Sequence, residues 1–161
     1  MSRMAADRDR DTVGRPRNAR PRDAMGRPLP RGAEGSISEE QLPSDPDALL
    51  DLGIGYFNAH RFFQAHECWE EAWHGAPEAD RDFWQGITQV AVGFTHRQRG
   101  NPAGATTLLE RGADKIERYA PRFYGIDVVA LARAARAAAG VIARDGITQP
   151  VDIPAIARYD G

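Results

Sequence analysis

The stretch Leu49 to Trp73, LLDLGIGYFNAHRFFQAHECWEEAW, constrains this chain most, because it carries two apolar faces of helical period with only a short polar break between them. Leu49, Leu52 and Tyr56 recur at i, i+3 and i+7, and after Asn58 a second face begins with Phe62, Ala65, Trp69, Ala72 and Trp73. Two helices joined by so short a turn run antiparallel, so a helical hairpin is expected.

The same signals continue along the chain. Asp45 is placed to cap a first helix over about 46–58, with Pro46 and Asp47 suited to its opening turn. Helix two is expected from about Arg61 to His74, with His60 placed to cap it and Gly75 free to close it in a left-handed conformation. Helix three, about 80–99, has Phe83, Ile87, Val90 and Phe94 on one face. Trp84, Ala91 and Val92 carry apolarity most of the way round, which predicts a central helix. Gly86 and Gly93 leave one of its sides bare for close approach, and Gly100 ends it.

Asn101-Pro102 repeats the cap-plus-proline start for helix four, which carries Ala105, Leu108, Leu109, Ile116 and Tyr119 and is halted by Pro121. Asp127 is placed to cap helix five, whose Val128, Leu131, Ala132, Ala135, Ala138 and Ala139 give a small-residue face ending near Gly146. The fold class is therefore all-α, with about five helices in stacked antiparallel hairpins over residues 45–146. Residues 147–161, with Pro150 and Pro154 among Val151, Ile153 and Ile156, are expected to lie extended across the bundle.

Residues 1–44 read differently. They hold no aromatic residue and repeat Arg-Pro at Arg15-Pro16, Arg20-Pro21 and Arg27-Pro28, the composition of a disordered leader that cannot offset its ordering entropy by burial. Residues 1–35 carry nine arginines against five acids, while the remainder carries 12 basic and 18 acidic residues. Such a leader could also act as an extended strap on the acidic body or reach an anionic partner such as RNA. The absence of aromatic residues between its arginines makes a nucleic acid the weaker choice. The 20 arginines beside one lysine reflect a compositional bias, so arginine counts alone carry no functional weight. A single cysteine, Cys68, excludes an internal disulfide and points to a reducing compartment. No apolar run approaches a membrane span or a signal-peptide core, so a cytoplasmic location is expected. A protein partner or a homo-oligomer is compatible with these bounds.

An internal repeat adds to the hairpin reading. Shifting the first hairpin by 40 residues superposes Leu52-Gly53 on Val92-Gly93, Tyr56 on His96, Ala65 on Ala105, Trp69 on Leu109 and Ala72 on Gly112. The first copy also fits the tetratricopeptide pattern, although its period differs from the roughly 34 residues of that repeat. Either a repeat ancestry or the general need for small residues where helices approach would produce this register.

The chemistry gathers on helix two. Centred on Trp69, a helical wheel places Phe62, Ala65, His66, Ala72 and Trp73 within about 60 degrees, with Glu70 at the rim and Gln64, Glu67, Glu71 and His74 outward. The Glu70 carboxylate can set the tautomer of His66 and raise its pKa, as in a general base or a metal ligand. On helix three, Asp82, Gln85, Gln89 and His96 share a stripe beside the glycines. If that stripe faces helix two, His66, Glu70, Trp73, Gln85, Gln89 and His96 converge as a ligand-binding group, with His66 and Glu70 as catalytic candidates. His66-Glu67-Cys68-Trp69-Glu70 resembles a zincin motif with glutamate for the second histidine, and Glu71 to His74 has the spacing of a di-iron helix. Both lack inward-facing partners, so no metal ligands are assigned and no cofactor is required, though a divalent metal is compatible with the residues. Cys68, Phe62, Phe94, Trp84 and Trp73 are read first as core. No glycine-rich phosphate loop or nucleophile elbow is present.

The run Phe57-Asn58, Phe62-Phe63-Gln64-Ala65-His66-Glu67, Glu70 and Trp73, then Gln85-Gly86-Ile87, Gln89-Val90-Ala91, Arg99-Gly100-Asn101 and Gly104-Ala105, resembles the bacterial and plastid proteins grouped as domain of unknown function 309. The resemblance covers about residues 47–140, and the Arg-Pro leader looks like that of actinobacterial members. It implies an all-α bundle and no particular activity. The expected function is a binding or scaffold module. The alternatives are metal-assisted or acid-base hydrolysis through His66 and Glu70, and binding of RNA or an acidic partner through the leader.

Overall fold

The computed structural model describes residues 42–159. Its elements are α1 (Pro46–Asn58), α2 (Phe62–His74), α3 (Glu78–Gln98), α4 (Pro102–Glu117), β1 (Arg122–Phe123), β2 (Ile126–Asp127) and α5 (Val128–Asp145). The fold is all-α apart from the two-residue strands. Each helix packs on the next in sequence, and α3 lies between α2 and α4. The leader expected over residues 1–44 falls outside the described residues except for Leu42–Ser44, of which Leu42 packs against the core.

The helix starts follow local chemistry. Asp45, Asn101 and Asp127 accept hydrogen bonds from the backbone N–H three residues on, at 2.9, 3.0 and 2.9 Å, satisfying donors that the first turn leaves without a partner. Helix α3 starts at Glu78, two residues before the expected Asp80. Both acids sit in its first turn, where the helix dipole favours them. Two expected caps are corrected. Gly75 closes α2 at φ −102°, because the Ala76 N–H reaches the Trp73 carbonyl in a tight turn that needs no left-handed residue. His60 does not cap α2. Its backbone is left-handed at φ 59° and its ring stacks on Phe62, with centroids 5.4 Å apart.

The repeat extends into the hydrogen bonds. In the first turn, Ala59 N–H donates to the Gly55 carbonyl, His60 to Phe57, Arg61 to Tyr56 and Ala65 to Arg61. Forty residues on, Arg99 donates to Thr95, Gly100 to Arg97, Asn101 to His96 and Ala105 to Asn101. His60 and Gly100 are the left-handed residues of the two turns, at φ 59° and 77°. The packing follows the same register. A Cβ on Gly53 would lie 2.1 Å from Trp69 Nε1, and one on Gly93 would lie 2.7 Å from Leu109 Cγ. In each hairpin a glycine of the first helix therefore receives a large residue of the second.

The core is continuous, with Trp69, Trp84, Phe57, Phe62, Phe83 and Phe94 its largest buried side chains. Cys68 is buried among them, and desolvation pushes its thiol up to about 12, in keeping with a small apolar residue. Between α4 and α5, Tyr124 and Gly125 both have positive φ, 49° and 75°, and make a two-residue hairpin turn between β1 and β2. This hairpin was not expected, and Gly125 was its one local signal. Residues 147–159 form neither helix nor strand.

Candidate functional site

Helix α2 presents one edge to solvent. His66 Nε2 lies 2.7 Å from Glu70 Oε2, and His66 Nδ1 lies 3.2 Å from the Phe63 carbonyl oxygen. Both ring nitrogens therefore face acceptors on the same helix. Burial by itself lowers the pKa of His66. The hydrogen bond and charge of Glu70, with Glu67 and the Phe63 carbonyl, outweigh that, so the net direction is upward. Reciprocally, the hydrogen bond from His66 brings Glu70 below the usual carboxylate value against an opposing desolvation. The pair is a histidine-carboxylate clamp one helical turn long. Its two side chains are 17% and 41% exposed, so it lies at the rim of the core, with His66 shielded and Glu70 half in water.

The same edge continues in both directions. His74 Nε2 lies 3.9 Å from Glu70 Oε1. The guanidinium of Arg99 sits 5.4 Å from the Phe63 ring centroid, and that of Arg81 sits 5.4 Å from the Trp73 ring. Both arginines belong to α3 or its C-terminal cap, so the edge Phe63, His66, Glu70, Trp73 borders the α2–α3 groove. Phe63, His74, Arg81 and Arg99 were not among the expected site residues. The i, i+3, i+7 spacing of Phe63, His66 and Glu70 was the available signal.

The expected convergence with the polar stripe of α3 does not form. Gln85 Oε1 accepts from Lys115 Nζ of α4, and Asp82 pairs with Arg118 at 2.9 Å. His96 Nδ1 lies 3.1 Å from Asn101 Nδ2 at the start of α4. The reason is steric. Gly86 and Gly93 admit α4, where Gly112, Ile116 and Leu109 fill the space a Cβ would take, so the residues beside those glycines border α4 and not α2. Gln89 is half-buried, and its Oε1 has no protein partner. Gln64, expected outward, is 3% exposed, because the buried arc of α2 runs through Cys68 and Ala72 and is not centred on Trp69. Of the six expected residues, the structure brings together His66, Glu70 and the adjoining Trp73, and turns Gln85 and His96 of α3 toward α4 and its cap. Among the described residues no three His, Cys, Asp or Glu side chains stand together as a metal-holding set.

Residues 50–108 match the family model DUF309, a domain of unknown function. That interval runs from α1 into α4 and contains all six expected site residues. The Uncharacterized protein YpuF of Bacillus subtilis (strain 168) is 35% identical over 65 residues, which make up 40% of this chain and 37% of that protein. This chain thus aligns with well under two-thirds of the length of that relative. No helix among the described residues is long and apolar enough to cross a membrane.

Proposed function

We propose that this chain is a cytoplasmic helical-hairpin module that binds or scaffolds other proteins, with the His66–Glu70 clamp stiffening the edge of α2 and the neighbouring rings supplying contact surface. The observation that carries this reading is the engagement of both His66 nitrogens by acceptors on its own helix. A general base needs a free nitrogen lone pair, and a metal ligand needs a neutral ring. A ring held between a carbonyl and a carboxylate has its protonated form favoured and neither nitrogen turned to a substrate, which suits a structural tie better than either hydrolytic role. The half-buried Trp73 with Arg81 above it, and Phe63 with Arg99, are the aromatic and arginine groups that anchor protein contacts. The buried single cysteine supports the cytoplasmic placing. We extend the DUF309 match to the whole chain, and place it among actinobacterial-type members on its Arg-Pro leader.

The test is a photo-crosslinking residue at Arg81, introduced in the full chain in cells. A defined protein adduct that disappears with Trp73→Ala and persists with the exposed Glu110→Ala is the expected result. No adduct dependent on Trp73, or one equivalent of divalent metal in chelator-free protein that is lost in His66→Ala, would overturn the reading in favour of a metal-assisted hydrolase.

A further inference from the structure

Residues 147–159 leave α5 and cross to α1, held at a few points. The Gln149 carbonyl accepts from Arg97 Nη2 at 3.1 Å. Asn58, the last residue of α1, engages both backbone groups of Ile156: its Oδ1 accepts from the Ile156 N–H at 2.8 Å, and its Nδ2 donates to the Ile156 carbonyl at 2.9 Å. A side-chain amide pairing with the N–H and C=O of one residue is how a protein surface holds an extended backbone whatever its sequence. Specificity then comes from alternate side chains, as in an added strand. Here Ile156 is turned in and 6% exposed, and Ala157 faces out. Arg158 is turned in again, donating to Asp51 at 2.9 Å, to Asp47 at 2.7 Å and to the Tyr124 carbonyl at 2.9 Å. The Tyr159 N–H closes the series on the Gly125 carbonyl at 2.7 Å.

The rest of this seat is poorly filled. A groove of about 520 Å³ remains between Ala130–Val141 of α5 and residues 150–154. A second of about 120 Å³ lies between Ile126–Leu131 and residues 154–159. Among residues 147–159, Ile156 is the one buried side chain. Ile147, Val151 and Ile153 pack against the core only in part, and Arg122 lies 4.7 Å from the Tyr159 ring centroid at the surface. Partly exposed contacts of this kind place a segment among those that open more readily than the buried helices.

We propose that the face formed by Asn58, Asp47, Asp51 and the Tyr124–Gly125 turn is a peptide-binding site whose resident occupant is the chain's own C-terminal segment. In its place the site accepts an extended segment of a partner protein that carries a branched aliphatic residue followed two positions later by arginine. Asn58 holds the backbone, the hollow that takes Ile156 selects the aliphatic side chain, and the two aspartates select the cation. The tethered segment competes at an effective concentration in roughly the millimolar range, so a partner binds weakly until that segment is displaced. The site is separate from the α2 edge, and its test does not depend on that edge.

The probe is a fluorescent peptide with the sequence of residues 149–161, titrated by anisotropy against full-length protein. The full-length double variant Ile156→Asp, Arg158→Glu, checked for retained helix by circular dichroism, is expected to bind it on the order of tenfold or more tighter than wild type. Adding Asn58→Ala should remove that binding. Adding Asp51→Arg should weaken it, and a peptide with glutamate at the arginine position should restore it. A helical double variant that binds no tighter than wild type would overturn the proposal. Should the double variant unfold, millimolar unlabelled peptide added to ¹⁵N-labelled wild type decides: shifted Ile156 and Tyr159 amide signals support it, and unchanged signals refute it. A wild-type dimer formed by exchange of C-terminal segments, with no peptide binding, would refute it in favour of self-association.

Discussion

The hairpins α1–α2 and α3–α4 have the same turn made from different residues. Both leave the first helix at positions 40 apart, Asn58 and Gln98, and both enter the second at positions 40 apart, Phe62 and Pro102. The second hairpin does this with locally favourable chemistry: glycine at the left-handed position, an asparagine cap and a proline start. The first uses a histidine at the left-handed position, and its cap position, Arg61, makes no side-chain cap bond. Its larger interlock, Trp69 against Gly53, compensates where Leu109 against Gly93 is smaller. The contrast teaches that this repeat resides in where large and small residues meet. The identities of the turn residues are secondary, so the register survives when local preference is weak.

Removing the interlocks gives the largest test of that equivalence. Trp69→Ala is expected to cost about 4 kcal/mol and Leu109→Ala about 3 kcal/mol in urea unfolding, since each leaves a cavity at a fully buried contact. A cost for Trp69→Ala below that of Leu109→Ala would mean that the first hairpin does not rest on its tryptophan.

The turns supply a smaller, mirrored pair. His60→Gly is expected to stabilise by up to about 1 kcal/mol by relieving a left-handed non-glycine residue, less what is lost from the stack on Phe62. Gly100→Ala should cost about 1 kcal/mol for backbone reasons alone, because nothing lies within 4 Å of the added Cβ. Changes of the same sign in the midpoint of unfolding would break the mirror.

The smallest effect distinguishes the two hairpins by their imidazoles. His66 has its pKa raised, so its contribution is present below its ordinary 6.5 and is lost as pH rises through the raised value. Glu70 is lowered, so its contribution is present above its ordinary 4.5 and is lost as pH falls through the lowered value. The clamp therefore works between those two limits. His96 behaves oppositely. Burial first, then the charge of Arg99, lower its pKa, and its contribution is present above 6.5 and lost as pH falls through the lowered value. Imidazole titration by NMR should put His66 above 6.5 and His96 below it, and Glu70→Gln should bring His66 down while leaving His96 in place. Coincident titrations would remove the distinction.

Much of the fold was legible. The bounds of α1, the caps Asp45, Asn101 and Asp127 and the stop at Gly100 all follow from interactions within a few residues, and the structure repeats them. The candidate site was legible in part. The His66–Glu70 contact is a single helical turn, set by the 3.6-residue period. Gln64 was misplaced because a wheel centred on the largest ring assumes one packing partner, whereas α2 is covered from both α1 and α3. Arg158, more than a hundred residues from Asp47 and Asp51, offered no local signal for its contacts.

By itself the amino-acid order determined that this chain forms helices, where most of them begin and end, and that a histidine and a glutamate lie one turn apart. Those outcomes depend on short-range hydrogen bonding and on which residues recur with helical period. Only the tertiary structure decided that Gly86 and Gly93 turn the polar stripe of α3 toward α4, leaving the clamp on α2 without the amides. It alone also decided that Asn58 and two aspartates of α1 receive the C-terminal segment. Both depend on which helix comes closest, a choice made by complementary shape across the whole bundle.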